Sequence, residues 1–184
     1  MIKLHLGCGW RNFGDDWVHI DGGDYEHLQY DDITKLPYEN ESVDLIYASH
    51  VLEYFDREEA VDILSEWTRV LKKGAVLRIA VPDFESMAIM YVMNKNTIKK
   101  VGLSSFLGPL YGKMEMGDQT IYHKTTYDFH ELSNILESVG IQSVTRYDWR
   151  DTEHGEFDDH SQAYIPHMDK DNGTLISLNV EGIK

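Results

Sequence analysis

Four short apolar runs mark the first half of the chain, each closed by a glycine, a proline or a polar residue. They are "IKLHL" before Gly7, "WVHI" before Asp21 and two glycines, "SVDLIYASH", and "AVLRIAVPD" stopped at Pro82. None alternates strictly between apolar and polar, so each reads as a strand covered on both faces, as in a parallel sheet. Between the third and fourth runs, "FDREEAVDILSEWTRVLKKG" has helical spacing. Asp56 caps it with Glu59 as capping-box partner, Val61, Leu64, Trp67 and Leu71 share a face, Lys72 and Lys73 lie in the last turn, and Gly74 ends it. "YDFHELSNILESVG" repeats the design, with Asp128 as cap, Glu131 three residues on, and Leu132, Ile135, Leu136 and Val139 on one face. Tyr127 and Leu132 form a staple, and Gly140 closes the helix. "SVTRYDW" and "GTLISLNVEG" then predict two closing strands. This order predicts one α/β domain over residues 1–184, a Rossmann-like doubly wound, mostly parallel sheet.

Two stretches break the alternation. Residues 84–123 hold Met87, Met90, Met93, Met114 and Met116 among aromatics and glycines (Gly102, Gly108, Gly112 and Gly117), and read as a cover or lid with flexible joints. Residues 151–171 read as a polar, solvated loop, mobile in part. His154, His160 and His167 lie there with Glu156, Asp158 and Asp159, at spacings that match no tight ligand pattern, so no metal is expected.

The first strand runs into "GCG". Gly7 and Gly9 let the backbone turn sharply and approach a ligand, but the third glycine of a dinucleotide fingerprint is replaced by Asn12. Only eleven residues separate Gly9 from Asp21, against roughly 20 in a full strand–helix–strand unit. No helix fits there, so "WRNFGDDW" is expected to be a loop and Asn12 need not be glycine.

Charge and composition narrow the function. The 184 residues carry a formal net charge of −15, which disfavours a nucleic-acid partner, and "TIKKVG" is too small a basic patch to reverse that. A lone Cys8 excludes an internal disulfide and fits a reducing compartment. No apolar run is long enough to span a bilayer and no secretory leader is evident, so a soluble, cytoplasmic protein is expected. Oligomeric state is not legible.

Ligands of open α/β sheets bind beyond the carboxyl ends of the strands. The candidates there are Leu6, Gly7, Cys8 and Gly9, then Asp21 and Gly22, then Asp32 and Ile33 after a weak further element, then Ser49 and His50. A carboxylate at Asp21 can accept both ribose hydroxyls of a nucleoside. Asp32 can accept from an exocyclic amine while Ile33 packs on the ring. His50 and His123 are the candidate bases, each with a structural alternative as a pocket-shaping or loop histidine. Cys8 reads as a small buried residue without a base beside it, and Glu53 as support for the following helix.

"LHLGCG", "IDGG", "DDITKLPYENESVDLIYASHVLEYF" and "RVLKKGAVLRIAVPD", in that order, resemble the motifs of class I S-adenosylmethionine-dependent methyltransferases. The nearest likeness is to small bacterial-type members in which a loop replaces the first helix. "HKTTYDFHELSNILESVGI" resembles the family's later helix. The resemblance implies S-adenosyl-L-methionine as cofactor, with Gly7 and Gly9 under its methionine part, Asp21 on the ribose, Asp32 and Ile33 at the adenine, and Ser49 and His50 beside the methionine moiety. It also implies an antiparallel C-terminal strand. His5 departs from the pattern, since many members carry an acid there. The resulting expectation is O- or N-methyl transfer to a small-molecule acceptor. The alternatives are a nucleoside-binding module without transfer activity and, further off, a nicotinamide-dependent oxidoreductase, against which the absent third glycine and absent helix speak.

Overall fold

A computed structural model of the 184-residue chain describes residues 1–93, 101–116 and 119–184. Among them, β1 (Lys3–Leu6), β2 (Val18–Ile20), β3 (Val43–Ser49), β4 (Leu71–Pro82), β7 (Gln142–Arg146) and β10 (Ser177–Ile183) form one sheet in the order β2-β1-β3-β4-β10-β7. The first four strands are parallel, and β10 is inserted antiparallel to both β4 and β7. The expected doubly wound sheet with an antiparallel C-terminal strand is therefore present. The weak element before "DDI" contributes one parallel bridge, Ile20 to Tyr30.

The helix α1 (Arg57–Val70) starts as its sequence demands. Asp56 accepts from the amides of Glu58 and Glu59, and the Glu59 side chain returns to the Asp56 amide. Its end differs from expectation. Leu71 is extended, and Lys72, Lys73 and Gly74 belong to β4. Strand pairing wins there because Val43 of β3 pairs with Leu71 and Lys72 reaches Asp44. The buried stripe is Ala60, Ile63, Leu64, Trp67 and Val70, whereas Val61 faces solvent. In α4 (Phe129–Ser138), Asp128 caps the Glu131 amide, and Tyr127 and Leu132 lie in the same core cluster. Both helices cover one face of the sheet. Trp67, fully buried there, donates to the carbonyl of Ile33 at 2.8 Å, and Arg69 donates to the carbonyls of Leu36 and Tyr38. The helix thus fixes the loop that follows β2.

The opposite face has no helix between β1 and β2, as the short spacing predicts. Phe13 and Trp17 of the loop pack with Leu45 and Tyr47, joined by Phe157 from the far C-terminal loop. That loop is not the solvated segment expected. His154, Asp159, Ser161 and Gln162 are buried, and Asn179 of β10 donates to the Ser161 carbonyl. A sheet face lacking its helix must be covered by something, and this loop supplies the cover.

The segment expected to be a lid contains α2 (Phe84–Met93), α3 (Ser104–Tyr111) and a hairpin of β5 (Met114–Met116) and β6 (Gln119–Ile121). Met87 and Met90 join Phe106, Ile165 and Ile176 in a second core cluster. Met93 is exposed. Lys99 and Lys100 of the small basic stretch and Gly117 lie outside the described residues. A last hairpin, β8 (Tyr164–Ile165) with β9 (Thr174–Leu175), takes the first residues of the apolar run that continues as β10.

Candidate active site

A cavity of about 610 Å³ opens at the carboxyl ends of β1, β2 and β3, a size suited to a small-molecule or cofactor ligand. Its floor is backbone. Gly7 has φ +65°, and a Cβ there would come within 2.5 Å of a Val51 methyl, so conformation and space both require glycine. Beside it, Asp21 is locked by two amides, Gly9 N–H to Oδ2 at 2.8 Å and Gly23 N–H to Oδ1 at 2.7 Å. A carboxylate has about four acceptor positions, so this one keeps capacity for a ligand's hydroxyls. Asp32 accepts from the Thr34 hydroxyl and amide, and that hydroxyl bond above all holds its carboxyl below the usual carboxylate range. Gly22, Asp31, Ile33 and Thr34 complete this end.

Of the other sequence candidates, Leu6, Cys8, Gly9 and Ser49 lie behind the lining. Leu6 is fully buried in the main core. Burial pushes the Cys8 thiol up to about 12, with the Asp21 charge adding to it, so it is no thiolate at neutral pH.

The roof is the β5–β6 hairpin, through Met114, Met116, Thr120 and Ile121. Met116 reaches across to Gly22, where a Cβ would meet its terminal methyl at 2.7 Å. The methionines of this segment therefore divide between core and cavity wall.

The end wall brings together both candidate bases. His50 follows β3 with φ 53°, a left-handed conformation uncommon for a side chain of its size, and its amide donates to the Ala80 carbonyl. His123 follows β6. Its ring meets Tyr54 edge-on at 4.6 Å, and its Nδ1 bonds to the Pro109 carbonyl at 2.9 Å. Both line the cavity. Between them, in the 3₁₀ turn Leu52–Tyr54, lies Glu53, wholly buried. Its Oε1 is 3.4 Å from His50 Nδ1 and 3.8 Å from His123 Nε2. Its carbonyl accepts from the amides of Lys124 and Thr125, tying the two wall segments together.

Burial raises the Glu53 carboxyl from its ordinary 4.5 to about 8. Burial also lowers His50 well below the usual histidine value, reinforced by His160 and His123, and lowers His123 against the opposing pull of the Pro109 carbonyl. The two imidazoles are thus neutral near pH 7 and available to accept a proton. Glu53 is the one member of this cluster that its sequence context assigns elsewhere, to support of the following helix. It does begin the next helical element, but its side chain turns inward, and only its position three residues after His50 could have signalled that.

Among the described residues, no group of three histidine, cysteine or acidic side chains has metal-holding geometry, and no helix is long and apolar enough to cross a membrane.

A glycine–aspartate floor lies at the carboxyl edge of a mostly parallel sheet with an antiparallel last strand, and this is the architecture of the solved methyltransferase structures that the chain is similar to. A family model described as "Methyltransferase domain" matches residues 16–79, the stretch holding Asp21, Asp32, His50 and Glu53. No curated protein matches the chain. Among solved structures, a SAM-dependent methyltransferase from Archaeoglobus fulgidus is 14% identical with a TM-score of 0.59, over 100% of this chain and 86% of that one. An S-adenosylmethionine-dependent methyltransferase from Mesorhizobium loti is 16% identical with a TM-score of 0.54, over 99% and 90%. One from Methanosarcina mazei is 15% identical with a TM-score of 0.53, over 99% and 92%. At these identities the structures establish the fold. The matched segment covers about a third of the chain and is similar to a methyltransferase domain, and the fold is the one those structures share.

Proposed function

We propose that this protein transfers the methyl group of S-adenosyl-L-methionine to a small-molecule acceptor held against the His50–His123 wall. The observation that carries this reading is one cavity with the Asp21 carboxylate at one end and two neutral imidazoles at the other. The residues fit the cofactor. Gly7 leaves space where a side chain would clash, Asp21 keeps acceptor positions for the ribose hydroxyls, and Asp32 with Ile33 offers an acceptor and an apolar edge for the adenine. When bound, the cofactor supplies an electrophilic methyl carbon. The protein's part is to hold the acceptor in line with it, to exclude water beneath the Met114–Met116 strand, and to take up the acceptor's proton. Within one domain, the part of the expected cover that lies over the cavity is the pair of strands Met114–Met116 and Gln119–Ile121 with Tyr122 and His123. Nucleic acid and membranes are not partners in this reading.

A binding module without transfer activity rested on the shortened loop, which would mark a degenerate member. That loop is a packed element carrying Phe13 and Trp17 into the core, so the shortening leaves the fold intact. Release of S-adenosylhomocysteine against a panel of hydroxyl- and amine-bearing metabolites tests the proposal. Tight cofactor binding with no release on any acceptor supports the module instead.

A further inference from the structure

The protons around Glu53 can be assigned from the outside inward. The Ser161 carbonyl can only accept, so Asn179 presents its amide nitrogen to it, at 2.9 Å. The Asn179 Oδ1 then accepts from the Ser177 hydroxyl, also at 2.9 Å. The Ser177 oxygen is left as acceptor for His50 Nε2 at 3.0 Å, which places the proton of His50 on Nε2 and leaves Nδ1 bare. On the other side the Pro109 carbonyl fixes the proton of His123 on Nδ1 and leaves Nε2 bare. Both bare nitrogens face the same Glu53 oxygen. Among the described residues neither Glu53 oxygen has a hydrogen-bond partner, and the residue is fully buried. Ionised and with nothing else added, the cluster would be three acceptors facing one another in a low-dielectric site, each unsatisfied. One added proton on Glu53 Oε1 neutralises the carboxylate and gives a donor to the nearer imidazole nitrogen, His50 Nδ1 at 3.4 Å.

We propose that Glu53, His50 and His123 form one proton-holding unit that is emptied when a cation enters the adjoining cavity and refilled by the acceptor's proton, so that the acceptor is a hydroxyl. This rests on the methyltransferase reading above. The balance closes over one turnover. In the free protein the unit carries a proton. A sulfonium in the cavity disfavours that added positive charge nearby, so the proton leaves to solvent and the carboxylate remains, with both imidazole lone pairs free. As the acceptor oxygen's lone pair takes the methyl carbon, the C–S electron pair stays on sulfur. The hydroxyl proton then passes to His123 Nε2 or His50 Nδ1, where the Glu53 carboxylate pairs with the new imidazolium. The positive charge moves from ligand to wall without the site's total changing. A neutral amine or a thiolate does not require such a unit for attack, whereas a neutral hydroxyl does.

Other groups bear on the unit: His160, whose ring centroid is 5.3 Å from that of His50; Arg11, which acts on both of these; and Tyr54, Tyr127 and Arg57 on the Glu53 side. All persist in a Glu53→Gln variant, which removes only the carboxyl. Titration calorimetry of the full chain at about pH 7, in two buffers of different ionisation enthalpy, counts protons released on binding. S-adenosylmethionine should release close to one proton more than the uncharged-sulfur product S-adenosylhomocysteine, and Glu53→Gln should bind both with that difference lost. Equal proton counts for the two ligands in the unaltered protein overturn the unit, as does a difference that survives in Glu53→Gln. Because the first comparison needs no variant, misfolding of Glu53→Gln does not rescue it. If neither ligand binds, the methyltransferase reading falls and the unit with it.

Discussion

Two groups of histidines with lowered basicity occupy different surroundings in this fold. His5, His19 and His154 sit in the aromatic layer on the helix-free face, where His5 stacks on Phe13 at 4.0 Å and His154 on Tyr47 at 3.8 Å. None of the three lines the cavity. His50 and His123 are half-buried and also lowered in basicity, yet they share a buried carboxyl and a wall of the cavity. A shifted pKa is therefore not what distinguishes a candidate base. The distinction is a second titratable group within reach and a space in which a reactant can stand.

The sharpest way to break this comparison is to remove one base. His123→Asn should lower turnover about 100- to 10,000-fold, the span expected for losing a general base, while cofactor affinity changes little because Asp21 and Gly7 lie at the other end. Steady-state kinetics with a parallel binding isotherm checks it. Equal losses in turnover and affinity would make His123 a wall residue only. Next in size, Asp21→Ala should weaken cofactor binding by about 1.5–3 kcal/mol, through charge-assisted hydrogen bonds lost to the ribose. Because Asp21 also holds the amides of Gly9 and Gly23, a modest fall in melting temperature should accompany it. Unchanged affinity by calorimetry would mean the carboxylate serves the turn alone.

The floor was legible in the sequence and the wall was not, for a physical reason. Asp21 is bonded to residues two and twelve positions away, and Asp32 to its neighbour Thr34, so local turn chemistry exposes the floor. The capping box at Asp56 and the N-cap at Asp128 were legible for the same cause. The wall joins residues 50, 53, 109, 123 and 177, which only the closed topology brings together. His50 and His123 could be named singly as strand-end and loop histidines. Their shared carboxyl could not be, since Glu53 has the sequence context of a helix start. The loop around His154 was misread because its composition is polar. Its burial follows from the missing first helix, a vacancy that was itself visible in the Gly9-to-Asp21 spacing.

A smaller effect of opposite sign is expected on the aromatic face. Both ring nitrogens of His154 are buried without a hydrogen-bond partner among the described residues, and an unpaired buried polar atom costs about 1–3 kcal/mol. His154→Phe keeps the stack on Tyr47 and removes both atoms. It should raise stability in urea by about 1 kcal/mol, offset in part by the larger ring, with turnover unchanged. Loss of activity would erase the distinction between the two histidine groups.

The finest test uses pH, where the two groups should pull against each other. His19 and His154 are lowered from 6.5 to about 4, chiefly by burial, so the folded state binds fewer protons than the unfolded chain. Their contribution is present above about pH 6.5 and is lost as pH falls through 4. Glu53 is raised from 4.5 to about 8, so here the folded state binds more protons. Its contribution is present below about pH 4.5 and is lost as pH rises through 8. Each group changes stability by at most about 1.4 kcal/mol per pH unit, and near pH 5–6.5 the two slopes oppose each other. With the rising slopes of His19 and His154 set against the single falling slope of Glu53, the unaltered protein should still gain stability with pH in that window, and less steeply than Glu53→Gln. Subtracting the Glu53→Gln curve from it should leave a difference that falls as pH rises toward 8, while subtracting the His154→Phe curve should leave one that falls as pH drops toward 4. Urea melts at half-unit pH steps resolve both. A Glu53 difference curve that is flat between pH 5 and 8 would mean that the carboxyl titrates at its ordinary value, and the wall would lose its proton.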